Sequence, residues 1–253
     1  MSQSYTNETI KTQLEHRTIR EFTEQRIPEE LMEQFFEVAR RTATSTGMQA
    51  CSIIRVTDPA IKKEIADVCT QEYVARAPEL LIFIVDQYRN YQIAKEKNVE
   101  ATSARGIDRF LSSFTDACLM AQNVVSAAES LGLGTVYLGS IHNDASKICK
   151  ILNLPKLTFP VLGLGLGYPN QEPQRKPRMD MKLRVFENQY TCFDNYLDRI
   201  KEYDEEMTTY YDLRDANRRV DSFSNQVVAR FASVNPKREQ ILKVVQEQGF
   251  QLD

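Results

Sequence analysis

The sequence predicts an α+β fold: a sheet of four to five strands around one buried helix, with a helical excursion at the C-terminal end. Three observations carry this. ELLIFIVD, residues 79–86, is an almost unbroken apolar run, the pattern of a strand buried on both faces. Residues 103–131 hold the strongest 3.6-residue periodicity in the chain. Leu119, Met120 and Ala127 make the opposite side of that helix apolar too, so it is central and largely buried. From about residue 170 the apolar strands give way to a Pro-rich basic loop, NQEPQRKPRMD, and then to helical stretches.

The elements follow in order. Residues 6–15 predict a helix with Thr6 as N-cap. The next helix begins near Pro28, with Leu31, Phe35, Val38 and Ala39 on one face. ACSIIRV, 50–56, is rich in β-branched residues and reads as a strand. DPAIKKEIADVC opens with Asp-Pro, a helix start with proline in the first turn. In the central helix Phe110, Leu111, Phe114, Ala117, Cys118, Ala121, Val124, Val125, Ala128 and Leu131 keep helical spacing, and Gly132 closes it. GTVYLGS (134–140) and LTFPVLGLGLGYP (157–169) read as strands, with a short helix in NDASKICKIL between them. KLRVFENQYTCF looks extended and has little nearby to bury against, and helical stretches follow near 194–213, 221–234 and 236–248. A tail of this kind often wraps a partner subunit. With no internal repeat or flexible linker, residues 1–253 are expected to form one domain, with about 182–253 as its excursion.

Composition narrows the function. The chain has 253 residues, a hydrophobic fraction of 42%, a charged fraction of 26% and a net charge of −3, as in an ordinary globular protein. The mild acidity argues against non-specific nucleic-acid binding. No stretch approaches the roughly 20 apolar residues of a membrane helix, and MSQSYTNETIK carries no apolar signal-peptide core. Cys51, Cys69, Cys118, Cys149 and Cys192 are scattered, odd in number and form no C-x-x-C pair. This fits a reducing cytoplasm rather than a disulfide framework or structural zinc. Two histidines, His16 and His142, make no rich metal site, and no metal is expected.

Several motifs bear on chemistry. GLGLG, 163–167, fails as a dinucleotide fingerprint, because its glycines sit within a strand pattern and Tyr168-Pro169 follows in place of a helix. Close backbone packing explains it better. There is no Walker motif, no H-E-x-x-H and no G-x-S-x-G. HRTIR, 16–20, gathers His16, Arg17 and Arg20 after a helical stretch. These cations either complement the helix dipole or hold an anion. RKPR, 175–178, is either a solvated turn or a pair of cations aimed by Pro177, which suits phosphate recognition. Arg214, Arg218 and Arg219 form a third basic knot, which Asp212, Asp215 and Asp221 could equally pair at a helix end. TATSTG, 42–47, reads as a loop whose small hydroxyl residues let a flat ligand approach the backbone. QEY, 71–73, places an amide beside a tyrosine, a pair able to bind the carbonyl and imide edge of a ring.

Taken in order, these blocks resemble the FMN-dependent nitroreductase superfamily, and within it the NADPH-dependent oxygen-insensitive nitroreductases and NADPH–flavin oxidoreductases. The similarity runs from about residue 8 to the C-terminus. It rests on HRTIR, TATSTGMQACSII, QEYV, MAQNVVSAAESLGLGTVYLGSIHN, FPVLGLGLGYP, KPR and FENQY, of which the block around 120–143 is the most specific. The resemblance implies a homodimeric nitroreductase-like fold with a central mixed sheet. It implies bound FMN, with His16, Arg17, Lys176 and Arg178 around the phosphate, Thr18 at the ring and Arg20 near N1 and the C2 carbonyl. It further implies Thr44, Ser45 and Thr46 around the ring, Gln71 and Tyr73 at the pyrimidine edge, and Leu138, Gly139 and Ser140 at the N5 side. Arg214, Arg218, Arg219 and Arg238 are implied for NADPH and the acceptor entrance. No side chain is implied as a catalytic acid or base, because the flavin does the chemistry. The activity implied is ping-pong hydride transfer from NADPH to the flavin and on to nitroaromatics, quinones or free flavin. The alternative is a flavin carrier or sensor without useful turnover. Thr18 stands where serine is usual, Gly47 where a larger side chain is common and Ser140 where glycine is usual, and the loop of Arg214–Arg219 is about one residue shorter.

Overall fold

The computed structural model describes residues 6–212 and 218–251, with backbone alone at 211–212 and 218–219. The chain divides into two compact units: residues up to Gln171 together with those from Asn235 onward, and Glu172–Val234.

In the first unit α1 (Glu8–Leu14) starts at Asn7, whose side chain accepts from the N–H of Ile10. Asn7 rather than Thr6 is therefore the cap. Helix α2 (Glu29–Arg40) follows Pro28 and buries Met32, Phe35 and Ala39. Strand β1 (Cys51–Arg55) leads to α3 (Pro59–Cys69), capped by Asp58. A single turn, α4 (Tyr73–Arg76), precedes β2 (Glu79–Asp86) and α5 (Gln87–Glu96). Helix α5 is not evident in the sequence: it is mostly polar, buries only Gln87 and packs Tyr91 against the core, so it offers no apolar stripe to read. Helix α6 (Ile107–Ser130), β3 (Gly134–Leu138), α7 (Ala145–Ile151) and β4 (Thr158–Gly167) complete the order.

The strands run β1-β2-β4-β3, with each ladder antiparallel. A mixed sheet is thus not found among the described residues; the parallel element is reduced to a bridge between Thr18 and Thr135 at the β3 edge. Alternation along β2 explains its apolar run. Leu81, Phe83 and Val85 join the core under α2 and α6, while Leu80, Ile82 and Ile84 join a second core with residues of α3 and α7. The glycines of β3 and β4 answer to close packing. A Cβ at Gly134 would lie 2.6 Å from the Ile19 side chain, and one at Gly167 would lie 2.7 Å from Pro78. After the second unit, α10 (Pro236–Glu239) and α11 (Ile241–Glu247) return to the first. Val244, Val245 and Phe250 enter its core, and the Phe250 ring lies 5.0 Å from that of Phe110.

In the second unit a short 3₁₀ turn, Met181–Leu183, leads into irregular chain with clustered Phe186, Tyr190 and Phe193 rings. Helix α8 (Tyr196–Thr209) buries Ile200 and Met207. A two-residue ladder, β5 (Tyr211–Asp212) with β6 (Arg218–Arg219), precedes α9 (Phe223–Ala232), whose Ser224 hydrogen-bonds Asp204.

Candidate functional site

HRTIR does not end α1. It runs along the edge of β3, with the Ile19 N–H donating to the Thr135 carbonyl at 2.9 Å. Ile19 is buried, and His16, Arg17, Thr18 and Arg20 are half-buried around it. The His16 ring is held by its Nδ1, 2.8 Å from Glu129 Oε1. The same oxygen accepts from the Thr135 hydroxyl at 2.6 Å. Because the carboxylate accepts at Nδ1, Nε2 is the nitrogen left for a ligand. The backbone N–H groups of Glu21 and Arg20 reach Gln171 Oε1 at 2.9 and 3.4 Å, which fixes the far end of the segment. Arg20 also lines a cleft of ≈ 710 Å³ with Lys62 and Arg76, of which Lys62 donates to the Ala77 and Pro78 carbonyls and Arg76 pairs with Glu21.

The hydroxyl loop is a 3₁₀ turn, Ser45–Gly47, after a half-buried Thr44. Thr46 has φ 49° and Gly47 has φ 69°. Left-handed backbone at a β-branched threonine is strained, and such strain concentrates where geometry serves a ligand. Asp116, 3% exposed within the apolar α6, holds the turn by accepting from the Ser45 N–H at 2.9 Å. Asn90 of α5 donates to the Met48 carbonyl beyond it.

Gln71 and Tyr73 flank the start of α4, and the Tyr73 side chain packs on the second core. Gln71 touches the turn after β3: the Ser140 hydroxyl donates to Gln71 Oε1 at 2.8 Å. Leu138, 1% exposed, anchors that turn while Gly139 is exposed. Arg238 Nη2 of α10 donates to the Gly139 carbonyl, and Lys237 pairs with Asp144. His142 is a half-buried prop, its Nε2 2.9 Å from the Pro160 carbonyl, and partial burial pulls its pKa down.

The structure thus brings Gln71 against Ser140, Arg238 against Gly139, and Thr18 onto the strand that ends at Leu138. In the second unit Lys176 and Arg178 are exposed, and Arg178 folds back to donate to the carbonyls of Lys176 and Pro177. Arg214 lies outside the described residues, and Arg218 and Arg219 are described as backbone in β6. Glu129, Asp116 and Gln171 hold the site segments and escape a reading for ligand-type residues. A clue was present for two of them, a carboxylate set within the apolar helix of α6. No group of three His, Cys, Asp or Glu among the described residues could hold a metal ion, and none of their helices is long and apolar enough to cross a membrane. The five cysteines are all free.

The sequence matches the nitroreductase family over residues 14–168 and the nitroreductase family C-terminal domain over residues 176–253. It is 36% identical over 243 residues to the oxygen-insensitive NADPH nitroreductase of Salmonella typhimurium, covering 96% of this chain and 98% of that protein. It is 35% identical over 247 residues to the FMN reductase (NADPH) of Bacillus subtilis, covering 96% and 98%. The solved structure of the NADPH:FMN oxidoreductase from Vibrio harveyi complexed with NAD⁺ superposes with a TM-score of 0.85 at 34% identity, over 96% of this chain and 99% of that one.

Proposed function

The chain belongs to the nitroreductase family, and from that premise we propose how its own residues serve the family's chemistry. It is an FMN-dependent NADPH oxidoreductase. When bound, FMN supplies the hydride acceptor for NADPH and the donor to the second substrate. The donor set suits that group: cations for a phosphate, small hydroxyls and a strained turn for a flat ring, and an amide nitrogen for ring carbonyls. The observation that carries the reading is HRTIR, pinned along β3 with the His16 ring oriented by Glu129.

His16 and Arg17 bind the phosphate, and Lys176 and Arg178 are proposed as its further cations. Thr18 and Arg20 face the ring, Arg20 placing positive charge where the reduced ring is most negative. Thr44, Ser45 and Thr46 border the ring, and Asp116 keeps their turn in place before the ligand arrives. Gln71 and Tyr73 take the pyrimidine edge. Leu138, Gly139 and Ser140 bring backbone close to the N5 side of the ring. Arg214, Arg218 and Arg219 recognise the 2′-phosphate of NADPH, and Arg238 guards the acceptor entrance. No side chain is assigned proton transfer; the chain orients and holds the reactants.

The acceptors are nitroaromatics, quinones or free flavin. Residues 1–253 work as one functional domain, and the working form is a homodimer. Its support is apolar surface: an open hollow of ≈ 400 Å³ bordered by Phe36, Ile53 and Met120, and an α9 that buries none of its residues while exposing Val228 at 68% and Phe231 at 85%. Light scattering that gave a single-chain mass with full FMN would overturn the dimer. Five free cysteines support a reducing, cytoplasmic setting. Steady-state rates at several fixed NADPH concentrations, with menadione varied, test the shared-face reaction. Parallel double-reciprocal lines are expected, and intersecting lines would overturn it.

A further inference from the structure

The reading above uses only the backbone of Ser140, so its side chain is a feature of this chain to be explained. Its hydroxyl is half-buried and donates to Gln71 Oε1 at 2.8 Å. Two segments meet here. One is the end of α3, where Thr70 adopts left-handed backbone with φ 53° and turns the chain toward Gln71. The other is the turn after β3. They are braced a second time by Asn143, whose Nδ2 reaches the Val68 and Cys69 carbonyls at 3.4 Å. Ser140 also lies beside the buried Cys69 thiol, whose pKa burial raises and the hydroxyl partly lowers.

A serine hydroxyl has one proton to give. Sulfur is a weak acceptor and an amide oxygen a good one, so the proton belongs to Gln71. A carboxamide has a broad, two-fold terminal torsion and without restraint presents either its oxygen or its nitrogen to a ligand. With Oε1 drawn to Ser140, the end of the amide left for a ligand is its NH₂ donor. A flavin ring offers both kinds of partner at its pyrimidine edge, carbonyl oxygens that accept and an N3–H that donates. An amide committed to donation selects the carbonyl oxygens, whose negative charge grows on reduction.

We infer that Ser140 is a positioning residue, which holds Gln71 by its amide oxygen so that Gln71 donates to a ring carbonyl and favours the reduced flavin. The inference rests on the reading that Gln71 faces the ring. Losing the committed orientation weakens the preference for reduced over oxidised FMN by about tenfold. For a two-electron couple that is a midpoint potential about 30 mV lower.

The test is the two-electron midpoint potential of the FMN-loaded protein for S140A, S140T, Q71A and the S140A/Q71A pair. S140A is expected to lower the potential by about 30 mV, and S140T, which keeps the hydroxyl, to hold the wild-type value. Q71A should lower it at least as far, and the double variant should fall no further than Q71A, because Ser140 acts only through Gln71. A wild-type potential in S140A beside a lowered one in Q71A would overturn the positioning role and leave Gln71 at the ring. A potential unchanged in Q71A would show that Gln71 does not face the ring, and the underlying reading would fall with it. Additive effects of S140A and Q71A would mean that Ser140 acts on the flavin by another route.

Discussion

Replacing Glu129 with alanine separates the fold from the site at one carboxylate. Glu129 is 12% exposed and uses a single oxygen for two partners, His16 Nδ1 at 2.8 Å and the Thr135 hydroxyl at 2.6 Å. Thr135 is 1% exposed, so truncation strands a buried hydroxyl at a cost of about 1–3 kcal/mol. The His16 side chain is 31% exposed, and water can serve its ring, so its share is less than about 1 kcal/mol. The sum is about 1–4 kcal/mol. At about 2–4 °C per kcal/mol for a chain of this size, the Tm should fall by roughly 2–16 °C. FMN affinity should fall by about tenfold, because the His16 ring loses the partner that aims it. Thermal unfolding of the FMN-free protein reads the first effect, and quenching of FMN fluorescence on titration reads the second. In a His16→Ala background the same change should cost stability but no further affinity. Lost stability with wild-type FMN affinity would refute the link from Glu129 through His16 to the ligand.

Charge reversal in Arg178→Glu should release most of the flavin, read as the ratio of flavin to protein absorbance after purification; full occupancy would remove Arg178 from the phosphate grip. Arg218→Ala should raise KM for NADPH by about ten- to a hundredfold, with kcat and the KM for NADH little changed. Equal weakening of both nucleotides would mean that Arg218 does not read the 2′-phosphate. Burial pushes the Cys51 thiol up to about 12 and the Cys149 thiol up to about 11, so both stay protonated and inert at pH 8. Exposed Cys192 should be alkylated first by iodoacetamide, and rapid labelling of Cys51 in the folded protein would contradict the packing at β1.

The fold is legible where burial is periodic. ELLIFIVD announces β2 to the residue because both its faces meet a core, and α6 is announced by a stripe that must face the sheet. Helix α5 hides because it buries only Gln87 and packs Tyr91 against the core, too little to make an apolar stripe. The helical run near 236–248 was visible, but not its return to the core, because Val244 and Phe250 read the same against their own sheet as against a partner. The site divides the same way. His16, Arg20 and Gln71 stand in recognisable short blocks, since ligand chemistry restricts residue type. Their supports do not: Glu129 lies 113 residues from His16 and Asp116 lies 71 residues from Ser45, pairings that only the folded chain creates.

Anaerobic addition of NADPH to the purified protein tests the central claim most directly. The protein should arrive yellow with bound FMN, lose that absorbance with one equivalent of NADPH, and regain it when menadione is added. A yellow protein that NADPH does not bleach, or a colourless one that takes up no FMN, would contradict the account.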